Sequence, residues 1–271
     1  MIKRVTELIV SMLYFSVFMS TRSVWRLFGA DASRPQIVLM YHNVAPQQKE
    51  RFAKQMRTIA FLVNTVSKEG GSSKFSTTTR VAVTFDDAFV CVLENALPEL
   101  QRLNIPATVF VPTGYIGKES EWIAEEDRDR RGGPVLDSAS ILKVSKAGVQ
   151  IGSHTVRHKH LALLDDKSVA EELRSSKYQL EAIVGVEVVQ VAFPFGSYDE
   201  RVIRIAKNVG YNTGYANIPV SSTQSTNGFL VGRISASPDD WICELLLKAV
   251  GAYQWLVPAI KLKRLVSNLG H

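Results

Sequence analysis

The sequence predicts an α/β barrel folded as a single domain around a largely parallel sheet. Short apolar runs alternate with helical-period segments of about ten residues or more, the pattern of right-handed βαβ units. Residues able to carry chemistry (His42, Asp86-Asp87, His154 and Pro194-Phe195) fall at the C-terminal ends of predicted strands, the edge where α/β barrels gather catalytic groups. A length of 271 residues with 46% hydrophobic content suffices for one large core.

Taken in order, Gln36–Tyr41 reads as a buried strand running directly into His42-Asn43, and Val81–Phe85 as a second strand. A helix follows over Val90–Leu103, with Leu93, Leu97 and Leu100 at helical spacing and Pro98 kinking or restarting it. Ala107–Val111 is a strand. Asp137 caps a helix that stops at Gly148, and the strand Val149–Ser153 delivers His154. Asp166 or Ser168 opens a helix to about Val184, with Gly185 as its stop signal. Val188–Phe193 is a strand ending at Pro194. Ser197 or Asp199 begins a helix ending near Gly210, and Tyr211–Tyr215 follows as a strand. The mixed-charge interval Gly117–Pro134 reads as a solvated surface loop, in preference to a border of the site through Trp122, and Ser221–Gly228 as another polar loop.

The flanks differ from the barrel at 35–240. In 1–34, Lys3 and Arg4 precede the apolar, uncharged stretch Leu8–Thr21. It is short against the roughly 20 apolar residues of a spanning helix. It suits a signal-peptide core with Ala30-Asp31-Ala32 as cleavage site, although Arg22 and Arg26 intervene. A membrane-surface helix anchored by Trp25 and Leu27 is at least as good a reading. Residues 241–271 read as one or more closing helices. The net charge of +6 suggests a membrane face or an acidic polymer, and hence the cell envelope or export, with the cytoplasmic membrane face also open. No arginine-rich run or aromatic-basic stripe points to nucleic acid. The two cysteines, Cys91 and Cys243, have no metal-ligand spacing, and Cys91 reads as a small buried apolar residue.

Asp86-Asp87 and His154-Thr-Val-Arg-His158 together offer carboxylates and two imidazoles, a recurring donor set for a catalytic divalent metal. Neighbouring side chains on a strand point to opposite faces, so the two aspartates should divide their labour: one binds metal, the other faces the water being activated. The histidine pair lacks the glutamate of a zinc-protease helix, which excludes that mechanism. A two-histidine, one-carboxylate iron oxygenase is disfavoured because the carboxylate lies far upstream among βα units.

These residues resemble the NodB-homology polysaccharide deacetylases, carbohydrate esterase family 4, over roughly residues 35–240. Thr84-Phe85-Asp86-Asp87 corresponds to the family's first motif, Ser153-His154-Thr155-Val156-Arg157-His158 to its second, and Phe193-Pro194-Phe195-Gly196 is similar to its third. Leu39-Met40-Tyr41-His42-Asn43-Val44 resembles the branch acting on exopolysaccharides such as poly-N-acetylglucosamine, and Ile105–Val111 fits the strand after the first motif. The resemblance implies a distorted (β/α)7 barrel that removes acetyl from N-acetylated sugars using one divalent ion, zinc first and cobalt, nickel or manganese as alternatives. It implies Asp86 as general base, Asp87, His154 and His158 as metal ligands, and the backbone N–H of Phe195 as an oxyanion donor.

The chain departs from the family pattern at several positions. Ala88 replaces the glycine after the aspartate pair, and Val191 stands where many members carry an arginine that orients the base. No histidine occurs between His160 and His271, so the late histidine acid has no counterpart. His42 is a candidate for that acid, against the commoner role of a structural hydrogen-bonder. Arg233 sits late in the barrel and could orient a carboxylate. Tyr41, Pro194, Phe195 and Tyr198 are candidates for substrate contact, the three rings as a sugar-stacking wall, with core packing the competing reading, stronger for Tyr41 than for Phe195. His160 reads as a loop residue and His271 as a mobile terminus. The expected partner is a polysaccharide, at a membrane surface, with no preference as to oligomeric state. A glycan-binding protein without turnover and an O-acetyl esterase are the alternatives.

Overall fold

The computed structural model describes residues 2–27, 36–68, 80–123, 132–219 and 228–257. Eight parallel strands form one sheet: β1 (Gln36–Tyr41), β2 (Arg80–Phe85), β3 (Ala107–Val111), β4 (Gln150–Ser153), β5 (Gln190–Ala192), β6 (Thr213–Ala216), β7 (Leu230–Gly232) and β8 (Ile234–Ser235). The strand order is β7-β6-β5-β4-β3-β2-β1-β8, with registers such as Ile37↔Val81, Phe110↔Gly152 and Met40↔Ser235. Strands covered on both faces read as continuous apolar runs rather than alternating ones, which is why Ile37–Tyr41 and Ala107–Val111 are buried throughout.

The two outermost strands explain how an expectation of seven units becomes eight strands. β7 pairs with β6 and β8 pairs with β1, and Arg233 alone separates them. One extended segment, residues 230–235, therefore serves both edges of the sheet and nearly closes it. Its backbone bonds switch sides at the break: Arg233 N donates to Ala216 O (3.0 Å) and Ala236 N to Met40 O (2.8 Å).

The helices are α1 (Ile2–Leu27), α2 (Lys49–Lys68), α3 (Leu97–Arg102), α4 (Ser138–Lys146), α5 (Asp166–Val184), α6 (Glu200–Val209) and α7 (Ile242–Ala249). Three begin at aspartate caps, in which a carboxylate accepts from a backbone N–H otherwise lacking a partner. Asp137 accepts from Ser140 N, Asp165 from Ser168 N and Asp199 from Val202 N, each at 2.8 Å. The cap of α5 is thus Asp165, one residue before the earliest start expected. Gly185 (φ 72°) and Gly210 (φ 103°) end α5 and α6 in the left-handed region that suits glycine. The helix expected over Val90–Leu103 is divided: a π-helical turn spans Val92–Ala96, and α3 restarts at Leu97 with Pro98 in its first turn, where a missing N–H is harmless.

On α2, Phe52, Met56 and Ile59 fill the core beside Leu39 and Phe85, while Val169, Leu173 and Leu180 do the same on α5. α1 lies against α7, held by an Arg4–Glu244 ion pair (2.7 Å) and a Trp255 Nε1–H to Ser11 Oγ hydrogen bond (2.9 Å). No described helix is long and apolar enough to cross a membrane. The Ala30-Asp31-Ala32 site, the side chains of Trp25 and Leu27, most of the Ser221–Gly228 loop and His271 lie outside the described residues.

β4, which delivers His154, is set by a close approach. A Cβ at Gly152 would stand 2.4 Å from the Phe110 ring, itself packed against Tyr215 (centroids 5.0 Å apart). Gly152→Ala is expected to cost about 1–3 kcal/mol in urea unfolding. Unchanged stability would mean that Phe110 can move aside.

Candidate metal centre

The site lies at the C-terminal ends of β1, β2, β4, β5 and β8. Asp86 N continues the ladder past β2 by donating to Tyr41 O (3.0 Å). The chain then turns through two left-handed residues, Asp87 (φ 69°) and Ala88 (φ 51°), so the adjacent carboxylates take different environments. The positive φ gives a physical reason for glycine at position 88. Alanine holds it at a cost of about 1–2 kcal/mol and is itself fully buried.

His154 follows β4, its N–H donating to Val111 O (2.9 Å). Its Nδ1 lies 2.8 Å from Ala192 O, and donation to that carbonyl leaves the Nε2 lone pair facing Asp87 Oδ1 at 3.7 Å. The loop to His158 contains two more left-handed residues, Thr155 (φ 65°) and His158 (φ 52°). Glu172 of α5, fully buried, ties it down: Oε2 accepts from Val156 N (2.9 Å) and Arg157 N (2.8 Å), and Oε1 from Arg157 Nε (2.6 Å). His158 Nε2 then reaches Asp87 Oδ1 at 3.3 Å.

One donor atom each from Asp87, His154 and His158 lies within 4.8 Å of the others, and all three residues are buried. Asp87 Oδ1, between the two imidazoles, has no hydrogen-bond partner among the described residues. A buried, unpartnered carboxylate oxygen facing two imidazole nitrogens is the chemistry a divalent cation satisfies, so the residues fit such an ion. Burial chiefly, aided by the neighbouring His158, lowers His154 to about 4 against the opposing pull of Asp86 and Asp87; it is therefore neutral, the ligating form, at pH 7.

Asp86 has a different partner. Arg233 Nη1 and Nη2 donate to Oδ1 and Oδ2 at 2.6 and 2.7 Å, a two-point contact with both side chains almost wholly buried. The guanidinium also donates to Thr84 Oγ1 (3.3 Å) and Asn217 Oδ1 (2.9 Å), and lies 5.4 Å from the Phe110 ring centroid. Burial opposes ionisation of Asp86 most strongly, but the charge of Arg233, then that of His154 once it is protonated at low pH, and the Arg233 hydrogen bonds outweigh it and hold the carboxyl at about 2. Val191, where many family members carry their arginine, is a buried core residue of β5. The guanidinium arrives instead from the break in the closing strand.

The metal-ready group opens into a cavity of about 450 Å³, lined also by His42, Trp122, Phe195, Asn217 and Ser237. His42, exposed, sits on its wall. Phe195 (52% exposed, φ 56°) meets the His158 ring edge to face at 4.6 Å. Three expected substrate contacts are corrected. Tyr41, the last residue of β1, turns its ring into the core and is fully buried between Phe52 and Phe85, its hydroxyl donating to Gln55 Oε1. Pro194 is buried, and Tyr198 packs on Phe193 rather than lining the cavity. Trp122 is corrected the other way: it stacks on His158 at 4.3 Å and forms part of the wall. His160, read as a loop residue, stacks on Phe195 at 4.1 Å. Glu172 was not foreseen. Its signal was a carboxylate on the buried stripe of α5 between Val169, Leu173 and Ser176.

A nearly closed parallel barrel carries at its C-terminal edge two buried imidazoles, one orphaned carboxylate and one ionised carboxylate, a donor set that could hold a divalent ion. Residues 75–214 match the polysaccharide deacetylase family, and the chain belongs to it. It is 23% identical over 168 residues to the poly-beta-1,6-N-acetyl-D-glucosamine N-deacetylase of Staphylococcus aureus (strain MSSA476), covering 59% of this chain and 55% of that protein. The chain thus spans about half the length of the curated relatives it matches. The fold is shared with the Streptococcus pyogenes deacetylase PplD in complex with acetate (TM-score 0.61, 19% identity, 81% of this chain and 99% of that one). It is shared equally with IcaB from Ammonifex degensii (TM-score 0.61, 20% identity, 80% and 98%).

Because the Asp86 carboxyl is depressed below the usual aspartate value of about 4, its contribution to stability is complete above that value and disappears as pH falls through about 2. Arg233→Met strands the buried carboxylate. It should cost about 3–5 kcal/mol in chemical denaturation at pH 7, and the double variant Arg233→Met/Asp86→Leu should recover much of that. A loss below about 1 kcal/mol for the single variant would show that the pair does not hold the barrel seam.

Proposed function

We propose that this chain is a metal-dependent de-N-acetylase acting on a glycan that contains N-acetylhexosamine, an exopolysaccharide or cell-wall polymer, in the cell envelope. The observation that carries this is the convergence of Asp87, His154 and His158 beside a carboxylate kept ionised by Arg233. The glycan named for the Staphylococcus aureus relative, poly-beta-1,6-N-acetyl-D-glucosamine, is the substrate to test first.

Asp87, His154 and His158 would hold the ion, and two imidazoles with one carboxylate suit zinc, with cobalt, nickel or manganese as substitutes. Bound there, a divalent ion supplies Lewis acidity, making a water more acidic and polarising an acetamide carbonyl. Asp86 is the proton acceptor. Its two oxygens are aimed by Arg233, which keeps it ionised and so able to accept at pH 7. The N–H of Phe195, the middle residue of the Pro194–Gly196 turn, serves as donor to the developing oxyanion. His42, on the cavity wall, delivers a proton to the departing amine. The Trp122 and Phe195 rings give the pyranose apolar walls.

Asp86→Asn in metal-loaded protein should lower acetate release at least about 100-fold while one equivalent of metal is retained. His158→Ala should lose the metal itself, read by metal analysis after dialysis. Full activity of Asp86→Asn overturns the base assignment. Release of acetate from O-acetylated substrates alone makes the protein an esterase, and release from none makes it a glycan binder.

Association with a membrane surface belongs to the same proposal. α1 docks through Arg4 and Ser11, and on its far side Ile2, Val5, Ile9, Met12, Leu13 and Val17 are exposed along one helical face. With Lys3 exposed beside them and a net charge of +6, this face suits an anionic bilayer surface. Ile9→Glu/Leu13→Glu should abolish co-sedimentation with phosphatidylglycerol vesicles and leave acetate release from soluble oligomers unchanged. Undiminished vesicle binding would remove α1 as the contact.

A further inference from the structure

A second cavity of about 630 Å³ adjoins the first, and Asn43 and Ser237 line both. Its other lining residues are Ala45, Gln47, Gln48, Arg51 and Asp239. The sheet explains the junction. β1 and β8 are neighbours, with Leu39 paired to Ile234 and Met40 to Ser235, so the segments that follow them emerge side by side at the edge that carries Asp86 and Asp87. We infer that this second cavity is a saccharide subsite, taking the sugar residue next to the one deacetylated and binding it as an uncharged pyranose through its hydroxyl and amide groups. The inference rests on the deacetylase reading and adds to it the direction in which the glycan chain leaves the catalytic cavity.

The walls of the two cavities differ in kind. The first presents the rings of Trp122 and Phe195. The second has no aromatic lining residue and instead presents amides, a hydroxyl, a carboxylate and a guanidinium. Those groups are fixed by one another. Asp239 Oδ2 accepts from Gln48 Nε2 (2.6 Å) and its Oδ1 from Arg51 Nη1 (2.7 Å), while Gln48 Oε1 accepts from Ala45 N (3.1 Å). On the facing loop, Asp239 N donates to Ser237 Oγ (3.1 Å), Ser237 N donates to Asp240 Oδ2 (3.0 Å), and Arg4 Nη2 donates to Asp239 O (2.7 Å). A polar array held in place before any ligand arrives loses little side-chain entropy on binding.

The charges decide the class of ligand. The single carboxylate and single guanidinium of the lining neutralise each other, so the cavity offers no net attraction for an anionic sugar or a phosphate. Planar amide and guanidinium edges with spare donor and acceptor positions match the vicinal hydroxyls of a neutral sugar. The volume lies within the range of about 300–1,000 Å³ typical of small-ligand sites. A single N-acetylhexosamine would reach only the first cavity, whereas a chain would occupy both.

The test uses the full chain loaded with zinc, with Arg51→Ala and Gln47→Ala, both exposed positions outside the metal group. Acetate release is followed on β-1,6-linked N-acetylglucosamine oligomers of increasing length. Arg51→Ala should raise KM for the longer oligomers about ten-fold with kcat held and leave the shortest substrate unchanged; Gln47→Ala should act in the same direction. Equal effects at every length, or none, overturn the subsite. Binding of the longest oligomer to zinc-loaded Asp86→Asn, with and without Arg51→Ala, separates the two levels of inference. A ten-fold weakening by Arg51→Ala without turnover in the parent protein keeps the subsite and removes the deacetylase reading. Equal affinity removes the subsite whatever the activity.

Discussion

The contact between Arg233 and Asp86 couples the closure of the barrel to the state of the sheet edge that carries the candidate metal centre. Arg233 occupies the one position that pairs with neither sheet edge as a strand residue, because the segment passes there from β6 to β1. Its side chain crosses the barrel interior to a carboxylate at the end of β2, and Thr84 and Asn217 satisfy further guanidinium donors. A buried ion pair is costly to desolvate and repays that cost only with good geometry and satisfied neighbours; this one has the two-point geometry and partners for both Nη atoms, while Arg233 Nε has none among the described residues. The charge that keeps Asp86 ionised is therefore in place only when the seam is closed. Folding and the ionised state of Asp86 are one event.

Around the second carboxylate the constraint is conformational. Asp87, Ala88, Thr155 and His158 all adopt left-handed backbone, which L side chains enter at a cost, and they cluster on the two segments that bring the metal-ready atoms together. Glu172 offsets that cost with three charge-assisted hydrogen bonds to the loop between the histidines, and Ser153 Oγ adds another by accepting from Thr155 N (3.1 Å). The carboxylate of Glu172 has no water to turn to, so the loop must supply its partners.

The strands as far as β6, the Asp137 and Asp199 caps, the glycine stops of α5 and α6, and the pairing of Asp86-Asp87 with His154 and His158 were legible in the residues because they rest on local chemistry. Apolar runs, caps and the ends of strands announce themselves within a few positions. What stayed hidden was long-range. Nothing near Arg233 shows that its strand splits there, and the expected helix start missed Asp165 by one residue because Asp165, Asp166 and Ser168 are equally able to cap. Tyr41 looked like a site residue beside His42, but alternation along β1 turns its ring into the core. Trp122 looked like part of a solvated loop, since its neighbours are charged, yet an indole finds a large flat partner in an imidazole.

That indole addresses a problem the hydrogen bonds leave open. The Nδ1 of His154 is fixed by Ala192 O, but the buried Nδ1 of His158 has no partner among the described residues, so no hydrogen bond from them through Nδ1 sets that ring's orientation. Ring contacts take over. Trp122 lies nearly parallel to His158 (19° between planes), while Phe195 and His154 meet it almost at right angles (71° and 70°). One face and two edges leave the imidazole little freedom to rotate, and they keep water from Nδ1. Trp122 in turn leans on Phe89 (6.4 Å) and Tyr115 (4.8 Å), and Phe195 is backed by His160. The rings proposed as apolar walls for a sugar thus also hold in place an imidazole proposed as a metal ligand, so a change in that wall is also a change at the candidate metal centre.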